Sequence, residues 1–568
     1  MTRRLARAAL LAAGVVLTTP AYAQPIAPDR ILRMVPNADL QTLDPINTTA
    51  GVVQSHAHMI YDQLFGRDAS QRPQPQMVQS WTKSEDSLTW TFQLRDGLKF
   101  HDGAPVTAVD VIASLRRWGA RDPHGRQIMA ITEAIEPAAD GKSFTWRLRR
   151  PYGLMLDALS KPAGNMPAIM PARIAATDPF TAITETIGSG PFIFVREEWV
   201  PGSRVVYRRN PDYAPRAEPA SGTAGGKVAH VDRVEWLNIA NAQTAVLALI
   251  QGEIDYIESP GVDFLPMLQR RGMRIIRTNT LGAPGMIRMN HIHPPFNDAR
   301  ARQALMLLVN QEEILQAMFP DPALYQVCHA FFVCGSPQET NAGVPQGLGS
   351  AAARLQARQL LQASGYDGTP IVIMDPTDNP FVHAATLVLA QQMQSIGFRT
   401  DVQAMDFASM AGRRANRRPP AEGGWHIGLT FWNGLGASDP VGNVPMQASC
   451  ERAWPGWPCD AQHQALIDAF PYAANDGERR QILERLHESA YRLVPYVPYG
   501  QWYLPSAIGP QLDGVLAMPG IIIAWNVKKP TRCPKKGQKG RPDLQVQQRV
   551  TFASLITYRK NLAESPGS

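Results

Sequence analysis

The run from residue 354 to 407 constrains the fold most, because it strings together a helix, a strand, a second helix and a second strand. Ala353, Ala357, Leu360, Leu361 and Ser364 recur at i, i+4, i+7, i+8 and i+11, one helical face, and Gly365 supplies its C-terminal cap. PIVIMD (370–375) then reads as a buried strand. Ala385, Val388, Leu389, Gln392 and Ile396 form a second helical stripe ended by Gly397, and FRTDVQAMDF (398–407) reads as another strand. Two strands joined through a helix pair in parallel with a right-handed crossover. An α/β lobe is the expectation.

One such lobe does not use up 568 residues, which at about 150 per domain suggest three or four domain-sized units. With 44% hydrophobic and 18% charged residues the chain is an ordinary globular mixture, which excludes disorder throughout. The first third mixes α and β. ILRMVP (31–36) reads as a buried strand leading into a polar loop, and a helix is expected from about residue 52 to 65. LTWTFQLR (88–95) and KSFTWRLRR (142–150) read as half-buried strands. Between them Thr107 opens TAVDVIASLRRW, where the Thr N-cap and Asp110 approximate a capping box. Gly- and Pro-rich stretches at 214–227 and 417–424 read as surface loops.

A net charge of +7 invites a nucleic-acid partner, but the charge sits at the two ends. Arg3, Arg4 and Arg7, an apolar run from Ala8 to Leu17, and the A-x-A site at Ala21–Ala23 form a secretory signal cleaved after Ala23. The apolar run is about half of what a membrane span needs. No Cys near the cut offers a thiol for lipid, and the mature chain is expected in the periplasm. Residues 528–568 carry ten Lys and Arg against Asp543 and Glu564. Without that tail and the signal arginines, the body has 43 basic against 47 acidic residues, so it is not basic. The tail reads as an atypical, disordered extension rather than a functional basic arm.

Of five cysteines, Cys328 and Cys334 are six apart, Cys450 and Cys459 nine apart, and Cys533 lies in the tail. In an oxidising compartment two local disulfides are expected, each worth no more than about 3 kcal/mol. Zinc is the competing reading, without a C-x-x-C or C-x-x-H pair to support it.

Signatures of an exported enzyme fail in turn. His487-Glu488 is followed by Tyr491 where a second zinc-binding His would stand, GTAGGKV (222–228) lacks the P-loop spacing, and there is no G-x-S-x-G elbow. The pairs His56/His58 and His291/His293 could share a face in a strand, but no third or fourth metal ligand is apparent, and on a helix i and i+2 diverge. Trp425, Phe431, Trp432, Trp454 and Trp457 could line a ligand cleft or fill a core.

LTWTFQLRDGLKFHDGAPVTAVDV (88–111) resembles the most distinctive motif of the extracytoplasmic solute-binding proteins of ABC importers, family 5, the oligopeptide and dipeptide class. LDP at Leu43, YDQLF at Tyr61, GSGPF at Gly188, RRNPDY at Arg208, LIQGEIDYI at Leu249, PPFNDARARQAL at Pro294 and LLQASGY at Leu360 extend the likeness to nearly the whole mature chain. The family's usual end falls near AWNV (524–527). The resemblance implies a two-lobed periplasmic-binding-protein fold, α/β, class II and large, with mixed sheets flanked by helices and an extra subdomain. Residues 24–62, 185–280 and 497–527 would form lobe I, 63–184 its subdomain and 281–496 lobe II.

It also implies capture of a peptide or peptide-like solute between the lobes and delivery to ABC permease subunits in the inner membrane. The protein would be a monomer without cofactor, catalytic residues, metal or nucleic-acid partner. A non-peptide solute (opine, glycoside, metal or haem chelate) and an exported hydrolase are the alternatives. By position, the loop and helix start from Ala50 to His56 match the cleft rim, with Val53, Gln54 and His56 as ligand contacts, and residues 430–440 match the segment that crosses the cleft floor, where Trp432 and Asn433 would stack and hydrogen-bond and Asp439 is a further contact. In the family's peptide binders this segment carries an Asp that pairs with the ligand amine. Here Leu435 or Gly436 stands nearest that position, and Asp439 belongs to the following Asp-Pro step.

Overall fold

The computed structural model describes Ala27 and residues 30–530. The expected signal peptide with its cleavage site, and residues 531–568 of the tail, lie outside the described residues.

Two large sheets carry the fold. The first has seven strands in the order Arg274–Ile276, Ser506–Ile508, Tyr256–Ile257, Ile31–Val35, Arg233–Leu237, Arg204–Arg209, Phe192–Phe194. Ile31–Val35 lies at its centre, parallel to both neighbours, which is why its sequence is apolar with little alternation. The second has six strands, in the order Tyr325–Gln326, Val497–Trp502, Ala283–Met289, Ile427–Phe431, Ile371–Pro376, Thr400–Met405.

The expected crossover is the parallel pair Ile371–Pro376 with Thr400–Met405, joined by the helix Pro380–Ser395. Ser350 caps the preceding helix, Ala351–Ala363, through the amide of Ala353, and Asn379 caps Pro380–Ser395 through that of Val382. Gly365 and Gly397 follow the two helices at φ of +76° and +109°, values that few side chains tolerate.

A third, four-stranded antiparallel sheet is built from Val78–Lys83, Thr89–Leu94, Ser143–Leu148 and Thr132–Pro137. Against it lies Ala108–Gly119, with both halves of the Thr107–Asp110 capping box formed.

Three boundaries differ from expectation. The first helix covers Gly51–Ile60 rather than 52–65. The chain leaves it at Tyr61, and the buried Asp62 accepts the buried Lys227 Nζ at 2.7 Å and the hydroxyl of the half-buried Tyr213 at 2.9 Å; a buried ion pair overrides local propensity. Val497–Trp502, expected in lobe I, pairs with Ala283–Met289 in the second sheet and is buried along its length. Lys528 and Lys529, expected in the tail, belong to the body. Lys528 pairs with Asp513, and Lys529 Nζ meets Asp255 at 2.8 Å.

Several segments that carry the family likeness are scaffold. Asp44 of the LDP segment grips Arg117 at 2.7 and 3.1 Å with both side chains buried. A Cβ on Gly188 would lie 1.8 Å from the Ile60 carbonyl oxygen, so only glycine lets these segments meet. Both cysteine pairs are disulfide-bonded, Cys328–Cys334 with Cα atoms 5.9 Å apart and Cys450–Cys459 with 4.1 Å.

Candidate functional site

A cavity of about 350 Å³ is lined on one side by residues between 49 and 165 with Gly520, and on the other by residues between 338 and 470. That is ample for a small solute.

One wall grows from the strand Ile427–Phe431. Where it ends, the Trp432 amide donates to the Pro284 carbonyl. Asn433 then caps the short helix Gly434–Ser438, its side-chain oxygen accepting from Leu435 N at 2.9 Å. A Cβ on Gly434 would lie 2.2 Å from the Leu281 carbonyl oxygen, so the segment runs hard against the chain entering the second sheet. This seats Trp432, Asn433, Leu435 and Asp439 on the cavity. The half-buried Trp432 meets Trp454 edge to face, with centroids 5.8 Å apart.

The opposite wall starts at Asp122, which caps Pro123–Ile131 through the Gly125 amide and holds Lys161 Nζ at 2.5 Å. The next turn presents His124, bonded through Nδ1 to the Tyr152 hydroxyl at 2.8 Å and through Nε2 to Asp439. Burial pushes the Asp439 carboxyl up, but the charge and hydrogen bond of His124, with Lys161 behind them, prevail and hold it at about 2. Asp439 is therefore ionised at neutral pH and joins the two walls.

Of the residues expected at the site, Trp432, Asn433 and Asp439 come together on the cavity, whereas Val53, Gln54 and His56 do not line it. All three are buried on the helix Gly51–Ile60. Gln54 donates to the carbonyls of Pro45 and Thr48, each at 3.0 Å, and accepts from Met166 N, so it braces the rim loop from behind. His56 meets the Tyr207 hydroxyl at 2.8 Å, and burial lowers its pKa to about 3, leaving it neutral. The helix turns this face to the core, while Thr49 and Gly51 at its start reach the cavity.

The aromatic segment divides: Trp432 is at the cavity, Trp425 and Trp457 pack together in a core, and Phe431 lies on Trp502. Arg67, Arg121, His124, Asp157 and Lys161 are cavity residues that sequence reasoning missed. The Asp-Pro step before His124 is a readable helix start, but nothing local announces a partner 315 residues away.

Residues 72–454 match the family model for bacterial extracellular solute-binding proteins, family 5. The chain belongs to this family. It is 35% identical over 527 residues to "Probable peptide ABC transporter periplasmic-binding protein y4tO" of Sinorhizobium fredii, covering 91% of this chain and 98% of that one. Among solved structures, it resembles the ABC transporter substrate-binding protein CtaP of Listeria monocytogenes (TM-score 0.74, 20% identity, 88% of this chain and 98% of that one). It also resembles a dipeptide-binding protein of Pseudoalteromonas sp. SM9913 in complex with Met-Leu (TM-score 0.69, 19% identity, 88% and 100%). The fold is accordingly the two-lobed one of periplasmic binding proteins. Among the described residues, no helix is long and apolar enough to cross a membrane.

Proposed function

We propose that the protein captures a peptide or peptide-like solute between its two halves and hands it to the permease of an ABC importer, acting in the periplasm as a monomer after cleavage behind Ala23, without catalytic turnover. The observation that carries this reading is a cavity walled from both halves, with Trp432, Asn433 and Asp439 facing His124 and Lys161. A solute touching both walls favours the closed arrangement over the open one by its differential affinity, which is all that a carrier needs. Trp432 offers a ring face or edge to an apolar side chain. Asn433, whose side-chain oxygen is held by Leu435 N, keeps its amide group for a solute carbonyl.

Lobe I is taken as residues 24–62, 185–280 and 503–529, supported by a seven-stranded sheet that draws every strand from these segments. Residues 63–184 form its subdomain and 281–502 lobe II.

The test is to purify the exported chain from periplasm, unfold it and identify the released solute by mass spectrometry, then titrate short peptides calorimetrically. A retained peptide-like solute, recovered intact after long incubation, is the expected result. Hydrolysed peptide would make the protein an enzyme, and retention of only a glycoside or a metal chelate would replace the solute class.

A further inference from the structure

Most charges around the cavity are answered from within the chain. Asp439 already takes the Nε2 of His124, Asp157 takes Arg67 at 3.2 Å, and Lys161 is held by Asp122. Arg121 differs. It lines the same cavity, stacks on Phe180 at 4.9 Å and reaches the Pro179 carbonyl at 3.4 Å. Among the described residues it has no carboxylate partner.

On the same cavity, Leu435 stands near the position where the family resemblance places the Asp that receives a peptide amine. Leu435 lines the cavity, is half-buried and packs against two of the hydrophobic clusters.

We infer that the cavity selects carboxylate-bearing, peptide-like solutes whose amine is blocked, with Arg121 reading the carboxylate and Leu435 lying against the blocking group. This rests on the peptide-like reading proposed above. An ammonium group brought into the cleft loses water, and both lining carboxylates are already engaged, so it gains no free anion in return. To win Asp439 it must break the bond to His124, which leaves the Nε2 of that imidazole unpaired in its place while Nδ1 stays on Tyr152. A blocked amine carries no such cost. A guanidinium fork, by contrast, matches a carboxylate with two parallel hydrogen bonds.

The experiment is calorimetric titration of the purified, solute-stripped full exported chain with three probe sets. These are a set of dipeptides, the same dipeptides N-acetylated, and the N-acetylated set with C-terminal amides. The N-acetylated acids are expected to bind about tenfold or more tighter than the free dipeptides, and amidation of the carboxylate to weaken them by about tenfold or more. Arg121→Gln is expected to erase the difference between acid and amide, and Leu435→Asp to shift preference toward the free amine. Circular dichroism establishes that each variant is folded, and should either misfold, the wild-type probe series decides alone.

Tighter binding of the free dipeptides than of their acetylated forms overturns the inference and leaves the peptide-like reading standing. No binding of any set, with a non-peptide solute released on unfolding, overturns both.

Discussion

Two ion pairs show how differently the scaffold and the cleft use charge. Asp62 and Lys227 lie 165 residues apart in sequence, their side chains 1% and 0% exposed, and the Tyr213 hydroxyl completes the shell of the carboxylate. His124 and Asp439 lie 315 residues apart and also join distant segments, but Asp439 keeps 29% of its side chain exposed toward the cavity. The first pair has nowhere to go, since either partner alone would be a charge in the interior. The second faces the cavity, a space where water or a solute competes for it, and the proposed function would make it part of the machinery of opening and binding. Burial, rather than bond length, separates a strut from a latch.

Breaking the strut should have the largest effect. Lys227→Met leaves Asp62 without its cation and is expected to cost about 3–5 kcal/mol in urea unfolding; a loss under about 1 kcal/mol would erase the distinction between the pairs.

The disulfides come next. Replacing Cys450 and Cys459 by Ser should cost no more than about 3 kcal/mol, because the loop closed is short. Thiol titration of the unfolded, unreduced chain should find only Cys533 free, out of five cysteines. Five reactive thiols would remove both bridges.

Asp439→Asn should cost about 1–2 kcal/mol near neutral pH. The sign follows from a folded-state pKa depressed to about 2 from 3.8. The Asp439 contribution is fully present above the unfolded value and is lost as pH falls through the folded one. Acid unfolding of the native protein should show this component below pH 4, where the variant lacks it. Equal acid profiles would mean that the latch contributes nothing to stability.

Smallest in stability is Trp432→Ala, expected below about 1 kcal/mol because the ring is half-exposed, yet costing about tenfold in solute affinity. Undiminished affinity would take Trp432 out of the site.

Much of the scaffold was legible because its signals are local. The apolar periodicity of residues 353–396, the glycines after both helices and the Thr107 capping box each act within a few residues, and the structure carries all three. The helix expected to run to residue 65 stops at Ile60, because Asp62 answers Lys227, which no window around it contains. That Val497–Trp502 joins the second sheet was hidden for the same reason: strand pairing is a choice between distant edges. At the cavity, resemblance located the 430–440 segment, and Trp432, Asn433 and Asp439 do line it. The helix face bearing Val53, Gln54 and His56 was placed at the rim, but helical rotation turns it to the core.

Taken by itself, the order of residues determined the α/β lobe, the capped helices, the family and the chain positions from which one cavity wall is built, since these depend on periodicity and on short, specific runs. Only the tertiary structure decided that His124 would meet Asp439, that Arg121 would be left facing the cavity and that His56 would be a neutral core residue. Each of those outcomes is set by which distant surfaces exclude water from one another, a property of the packed molecule that no stretch of sequence carries alone.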